Sequence, residues 1–364
     1  LKIYGKAETW GYYTMDGGAD VHNFGTEEEP ELDFVNEDWA KKNTVDSITY
    51  GRLGIATTTP SSFGDVNVKL EFDMRSKSGK DGWSSDFRMR HAYGEFGGLL
   101  VGQTNSLWVD WQYCTGYNDT WLEDFNGTQY RTRQIRYTFN PADNFKVGIS
   151  MEQDKSGGNT TKFGPAFLAA AKYSGDWGFV TGIVGYQKIQ NGEQNSITGS
   201  YHYTSDTGFS WSIGGAWNIT ENDQIGGKIV NGGGQHGFSS YVLTDGFYER
   251  LDNGKLDFYK STSIDLGYSH TWNDAFKTNV GIGQIRFDKE NTLLVADVAP
   301  LYCDAKINEF FINTNWNITK NATFGVEYYD STLKADDEVF WGRDEYTKKA
   351  HYNGFNVMFQ YRFF

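Results

Sequence analysis

The sequence predicts an all-β fold: a transmembrane antiparallel β-barrel of 16 strands, in one domain spanning residues 1–364. Three features point that way. Aromatic residues make up 17% of a chain that is only 38% hydrophobic. Segments of about ten residues alternate apolar with polar side chains along nearly the whole length, the period of a strand with two unlike faces. The segments are joined by short turns and long polar loops in strict alternation, as in a barrel whose two ends meet different compartments.

The composition excludes the main alternatives. No stretch approaches the roughly 18 consecutive apolar residues of a membrane helix, and mean hydropathy is −0.59. A soluble core built around 23 Tyr, 26 Phe and 12 Trp would need more Leu, Ile and Val than this chain has. A soluble sugar-binding β-sandwich is the competing fold. A barrel resolves the mismatch, because its interior is wet and its aromatic residues form girdles at both membrane interfaces. The net charge of −14 argues against nucleic acid as a partner. The sequence opens directly in a strand-like segment, as a processed chain would.

The elements follow from the pattern. In Val66-Asn67-Val68-Lys69-Leu70-Glu71-Phe72-Asp73-Met74 every even position is apolar and every odd one polar. Short turns are expected at 57–65, 94–98, 139–144, 173–178, 217–223, 271–276 and 316–322. Long polar loops are expected at about 15–46, 76–83, 104–128, 153–165, 189–207, 232–260, 289–304 and 333–349. Seven turns and eight loops give sixteen strands with both termini on the short-turn side, an even count that lets a single chain close. The strand-like SITGSYHYT (196–204) would make the count odd, so it is assigned to a hairpin inside the fifth loop. The last strand, Phe355 to Phe364, places apolar residues at every odd position and ends on Phe.

The stretches YGRLGIATTTPSSFGDVNVKLEFD (50–73), FRMRHAYGEFGGLLVGQTNSLWVD (87–110), RQIRYTF (133–139) and VNGGGQHGFSSY (230–241) resemble bacterial trimeric porins. More narrowly, they resemble the DcaP-type channels associated with dicarboxylic acid uptake. The resemblance implies a bacterial outer-membrane location with lipid and lipopolysaccharide around the barrel. It also implies a homotrimer, a passive channel and no enzymatic activity. Departures from the pattern are the two cysteines and the hairpin-like fifth loop, and a coiled-coil N-terminal extension, known in some members, is not expected.

In such a channel, charged side chains at the narrowest point select the solute. Parity assigns them. Leu53 and Ile55 face out, so Arg52 faces in. Lys69, Glu71, Asp73 and Arg75 face in on the third strand. Phe87, Met89 and Tyr93 face out on the fourth, so Arg88 and Arg90 face in, and His91 shares the outward face, where a protomer contact could hold it. Arg136 faces in on the sixth strand, whereas Arg131 and Arg133 have outward parity unless a bulge intervenes. Six cations, Arg52, Lys69, Arg75, Arg88, Arg90 and Arg136, thus form a basic wall suited to carboxylate or phosphate. The plainer reading is that they pair with Glu71 and Asp73.

The third loop, about 104–128, carries Trp108, Trp111, Tyr113, Tyr117, Trp121 and Phe125 together with Asp110, Asp119, Glu123 and Asp124. So apolar a loop is expected to fold into the lumen as a constriction, setting its acids against the arginines; the other reading is an aromatic loop that packs at the trimer interface. The function expected is passive diffusion of small hydrophilic solutes, with a preference for anions such as dicarboxylates or phosphorylated compounds. The alternatives are a saccharide channel, in which the Trp-rich loop stacks on sugar rings, and a barrel enzyme or adhesin.

Other motifs carry less. Gly232-Gly233-Gly234-Gln235-His236-Gly237 fits the dinucleotide-binding spacing but no helical period follows it. Asn218-Ile219-Thr220 and Asn317-Ile318-Thr319 are ordinary turn sequences. The six His have no metal spacing. No cofactor is expected. Glu27-Glu28-Glu29-Pro30-Glu31-Leu32-Asp33 in the first loop reads as a solvated charge run, with a structural calcium site as its second reading.

Cys114, in the third loop, and Cys303, in the seventh, lie half a circumference apart in a sixteen-strand ring. A third loop crossing the pore reaches that far wall, so the two admit either a disulfide or two separate thiols. A disulfide gives no free thiol when the unfolded, unreduced protein is titrated with a thiol reagent. A count of two excludes it.

Overall fold

The computed structural model describes residues 1–17, 44–62, 64–77, 85–110, 131–153, 161–194, 198–199, 201–233, 248–250, 256–258, 260–287, 305–340 and 346–363. Its barrel strands are β1 (Lys2–Gly17), β2 (Thr44–Thr59), β3 (Val66–Lys77), β4 (Ser85–Phe96), β5 (Leu99–Asn105), β6 (Arg131–Ala142), β7 (Phe145–Gln153) and β8 (Thr161–Gly175). They continue with β9 (Gly178–Gln194), β10 (Tyr201–Asn218), β11 (Asp223–Gly233), β14 (Lys260–Thr271), β15 (Phe276–Phe287), β16 (Ala305–Asn317), β17 (Ala322–Phe340) and β18 (Tyr346–Phe363). These sixteen strands form one closed barrel. A four-residue helix, α1 (Leu107–Asp110), follows β5, and β12 (Tyr248–Arg250) pairs with β13 (Leu256–Phe258) as a separate two-stranded sheet between β11 and β14. Closure joins β1 to β18, from Gly5 opposite Phe363 to Gly17 opposite Tyr352, with one irregularity between Thr14 and Asp16.

All seven short connections fall where the sequence places them. Three of them have two residues, and in one, Gly97-Gly98, the φ values of 53° and 84° fit the left-handed turn that matches sheet twist. A Cβ on Gly98 would stand 2.2 Å from the Thr138 carbonyl oxygen.

Two expectations at the long-loop end need correction. The segment at 201–204 is no hairpin within a loop: it is the outer end of β10, paired with β9 from Tyr201 opposite Gln194. The loop expected at 333–349 is mostly strand, since β17 continues to Phe340 and β18 begins at Tyr346. The reason is common to both. Above the membrane a strand is wet on both faces, so polarity no longer distinguishes strand from loop. The β12–β13 sheet lies in the sixth loop, where no pattern of residues singles it out.

The wall has inverted polarity. On β18, Phe355, Val357, Phe359 and Tyr361 are exposed on the outside, while Asn356, Met358 and Gln360 are buried on the inside. The inner face satisfies its polar groups laterally. On neighbouring strands Ser269 Oγ donates to Asn279, Asn279 Nδ2 to Asn313, and Asn313 Nδ2 to Glu327, which also accepts from Asn356 Nδ2. Near the short turns the outer face carries stacked aromatic pairs, Tyr173 with Trp177 and Phe276 with Trp316. These mark the inner-leaflet girdle.

Candidate functional site

The charged side chains of β1–β4 meet on one stretch of inner wall, centred on two carboxylates. Asp73 is 1% exposed. It receives Arg88 in bidentate fashion, with Nε and Nη2 each 3.0 Å from a carboxylate oxygen, and Arg90 Nη1 at 2.6 Å. Glu71 sits among Lys69 Nζ at 3.3 Å, Arg90 Nε at 3.3 Å and Arg52 Nε at 3.5 Å, and accepts from the Tyr4 hydroxyl at 2.8 Å. Four cations thus surround two carboxylates. About a quarter of the side chains of Arg52, Lys69 and Arg88 remains open to the lumen, whereas Arg90 is closed in.

A β-bulge makes the cluster dense. The pairing of β3 with β4 steps from Phe72 opposite Met89 to Glu71 opposite His91, leaving Arg90 as the extra residue. Arg88, Arg90 and His91 therefore all turn inward. This corrects the outward assignment of His91, whose Nδ1 lies 2.8 Å from Thr104 Oγ1 and whose Nε2 lies 3.7 Å from Glu71. It also corrects Tyr93, which pairs with inward-facing Gly102. Gly102 has a φ of 137°, and a Cβ there would come within 2.3 Å of the Ala92 carbonyl oxygen. Strict parity carries no mark of an inserted residue, so the bulge was invisible in the sequence.

β1 adds a neighbouring group that parity reasoning passed over. Glu8 is buried, accepts Trp10 Nε1 at 3.0 Å and is bonded by Lys6 and by Gln360 of β18. Tyr4, Lys6, Glu8 and Trp10 alternate with Ile3, Gly5, Ala7 and Thr9. The period was readable, but two aromatic residues on the wet face and small ones on the other disguised which face was which.

The third loop begins inside the barrel. Leu107 and Trp108 are wholly buried, in one cluster with Ala166, Leu168 and Ala170 of β8, Ile183 of β9 and Val230 of β11. Each fully buried side chain of this size contributes about 1.5–3 kcal/mol. Glu152 of β7, 1% exposed, fixes the start of α1: it accepts Leu107 N at 2.9 Å, Thr132 Oγ1 at 2.9 Å and Ser150 Oγ at 2.7 Å. Ser106 caps the turn, its Oγ accepting from Trp108 N at 3.1 Å. The signal for this anchor was present in Gly164-Pro165-Ala166-Phe167-Leu168-Ala169-Ala170, apolar on both faces of a strand. A lumen wall without polar residues needs something to cover it.

A family model described as DcaP outer membrane protein matches residues 1–340. The chain belongs to the DcaP outer membrane protein family. Among curated relatives, Porin Omp2b of Brucella neotomae is 28% identical over 247 residues, covering 62% of this chain and 62% of that protein. Porin Omp2b of Brucella canis is 30% identical over 184 residues, covering 45% and 49%. The match therefore spans less than two thirds of the length of these relatives. Among solved structures, the outer membrane channel DcaP of Acinetobacter baumannii aligns with a TM-score of 0.75 at 18% identity, over all of this chain and 96% of that one. The anion-selective porin of Comamonas acidovorans aligns at 0.60 and 13%, over 100% and 99%. OmpT of Vibrio cholerae in its trimer form aligns at 0.58 and 12%, over 100% and 98%. At these identities the likeness is one of fold. Family and barrel together place the protein in the outer membrane as a multi-pass, porin-type barrel and not an enzyme.

In this DcaP-family barrel the structure gathers Arg52, Lys69, Arg88 and Arg90 into one cluster and buries Arg136 on the inner face of β6, away from them in the ring order. Arg133 is exposed on the outer face, as its parity requires. The backbones of Arg75 and Asp110 lie in β3 and α1. Trp111, Glu123, Asp124, Cys114, Cys303 and the segment Glu27–Asp33 lie outside the described residues. Among the described residues no group of His, Cys, Asp and Glu is arranged to hold a metal ion.

Replacing Glu152 by Ala strands three buried donors, at about 1–3 kcal/mol each. The expected outcome is a lower unfolding temperature on semi-native gels and larger current fluctuations in single-channel records. Glu152→Gln, which keeps an acceptor oxygen, is expected to fall between. Unaltered current noise in both variants would show that the anchor does not hold the loop.

Proposed function

We propose that the protein is a passive diffusion channel that prefers small anionic solutes, dicarboxylates or phosphorylated compounds, and that the wall of β2–β4 sets this preference. The reading rests on the surplus of four cations over two carboxylates, with Arg52, Lys69 and Arg88 still partly open to the lumen. The bidentate grip of Arg88 on Asp73 is the geometry by which a guanidinium takes up a carboxylate. A dianion passing the wall would meet these heads while Glu71 and Asp73 hold them in place. The base of the third loop is anchored inside the barrel by Leu107 and Trp108, and the rest of that loop lies outside the described residues. The structural neighbour from Comamonas acidovorans is itself an anion-selective porin.

The charge count gives the test a sign. Replacing Arg52, Arg88 and Arg90 together by Ala leaves Lys69 against Glu71 and Asp73. The reversal potential in a salt gradient is expected to move from anion-preferring towards cation-preferring, and block of the current by a dicarboxylate is expected to weaken. An unchanged reversal potential in the folded variant would exclude this wall as the selector. Arg88→Ala alone, which leaves Arg90 on Asp73, is expected to give a smaller shift in the same direction.

The same reading extends to a homotrimer. The outer face of β1 and β2 presents Ala7, Thr9, Ser47, Thr49 and Gly51 where other strands present large apolar side chains, with Thr9 Oγ1 and Thr49 Oγ1 3.3 Å apart. Small residues gain little from lipid and allow close approach of a second copy. Thr49→Arg is expected to convert trimer to monomer in detergent, read by sedimentation velocity. A monomeric parent protein would exclude the assembly.

A further inference from the structure

A cation stands in the inner wall near the short turns without a partner. Lys277 is the first inward residue of β15 after its turn, on the same face as the buried Asn279 and Ile285. It is half-buried, and it makes no hydrogen bond, ion pair or ring contact. Directly opposite on β16 stands Asn315, also inward, whose Oδ1 is buried without a hydrogen-bond partner. Next in register come Gly325 of β17 and Met358 of β18, and Met358 packs on Trp10 of β1. Gly325 has no side chain. The ammonium and the amide therefore border a recess that ends on an apolar wall.

The neighbouring inner wall is satisfied from within. One rung higher, Ser269, Asn279, Asn313, Glu327 and Asn356 bond one another in series. In the cluster of β2–β4 each of the four cations meets a carboxylate. The carboxylates around the recess are engaged elsewhere. Glu327, the next inward residue above Gly325, accepts from Asn313 and Asn356. Glu8 is held by Lys6, Trp10 and Gln360. Asp274, in the turn below, gives its backbone oxygen to Asn317 and forms no ion pair with Lys277. A desolvated cation and a buried acceptor without partners are both costly unless a ligand completes them. The cation calls for an anion and the acceptor for a donor. An ammonium donor would be repelled by Lys277, so the donor is a hydroxyl.

We propose that Lys277 and Asn315 form a second solute station, at the short-turn end of the lumen, for hydroxylated carboxylates. The carboxylate would pair with Lys277 Nζ, the hydroxyl would donate to Asn315 Oδ1, and the carbon chain would lie over Gly325 towards Met358. This rests on the reading of the barrel as an anion channel and adds the class of anion. The arginine wall sorts solutes by charge, whereas a site that bonds a hydroxyl also discriminates against the analogue without one.

The test is block of the single-channel current by malate and by succinate, which differ by one hydroxyl, each added in turn at either mouth. From the chamber facing the short turns, malate is expected to bind about five-fold more tightly than succinate, the worth of one hydrogen bond. Asn315→Ala is expected to abolish that difference and leave succinate block unchanged. Lys277→Gln is expected to weaken block by both acids about five-fold, the worth of one ion pair in water, and Lys277→Arg to preserve it. The comparison of the two acids in the parent protein needs no variant, so it decides the matter even where a variant fails to fold. Equal block by malate and succinate in the parent protein overturns the proposal and leaves the arginine wall standing. So does an undiminished malate preference in Asn315→Ala, or undiminished block in Lys277→Gln. Absence of block by either acid from either mouth overturns the anion-channel reading together with this site.

Discussion

Lipid offers a backbone amide no hydrogen-bond partner, so a sheet that crosses a bilayer must have no edge. In this protein that condition rests on the contact between the first strand and the last. β1 lies between β2 and β18, and its pairing with β18 runs nearly the length of both strands. Glu8 of β1, bonded to Gln360 of β18, ties the seam on the inside as well. Only a closed ring separates a wet face from a lipid face. That separation in turn makes burial of Glu71 and Asp73 compatible with apolar side chains exposed on the same strand.

Within the ring, charge is held by charge. Breaking a buried ion pair by removing one partner costs about 3–5 kcal/mol, so Arg90 is as much part of the wall as of any selecting surface. The bulge concentrates this further, because an extra residue in β4 aims two successive cationic or imidazole side chains at the two carboxylates of β3. The resulting cluster is rigid on one side and open on the other. Arg90 is closed in, while Arg52, Lys69 and Arg88 are held by their carboxylates with part of each head towards the lumen. For the proposed anion preference this matters, because a cation so held loses little freedom when an anion arrives.

The wall of β8, β9 and β11 does the opposite work. Its inner face carries an apolar patch of Ala166, Leu168, Ala170, Ile183 and Val230, and the start of the third loop covers it with Leu107 and Trp108 while Glu152 fixes the turn. The two halves of the lumen therefore differ in kind: one side presents charge and the other receives a loop. This asymmetry is carried by ordinary strands whose inner residues differ, with no change in the backbone plan.

Fold class, strand number, the seven short turns and the lipid-facing side of most strands were legible in the order of residues alone. Each of these is local: a period of two, a turn signal every few residues, and the cost of charge in lipid are all readable without knowing what lies across the barrel. The inward facing of Arg52, Lys69, Arg88, Arg90 and Arg136 was legible for the same reason. Other features arose only when distant segments met. The inserted residue at Arg90 turned His91 and Tyr93 inward, because register between two strands is a property of the pair. Glu8 and Glu152 gained their roles from partners 352 and 45 residues away. The outer ends of β10 and β17 continued past the expected loops, because above the membrane hydrogen bonding across the sheet, not hydropathy, decides where a strand stops.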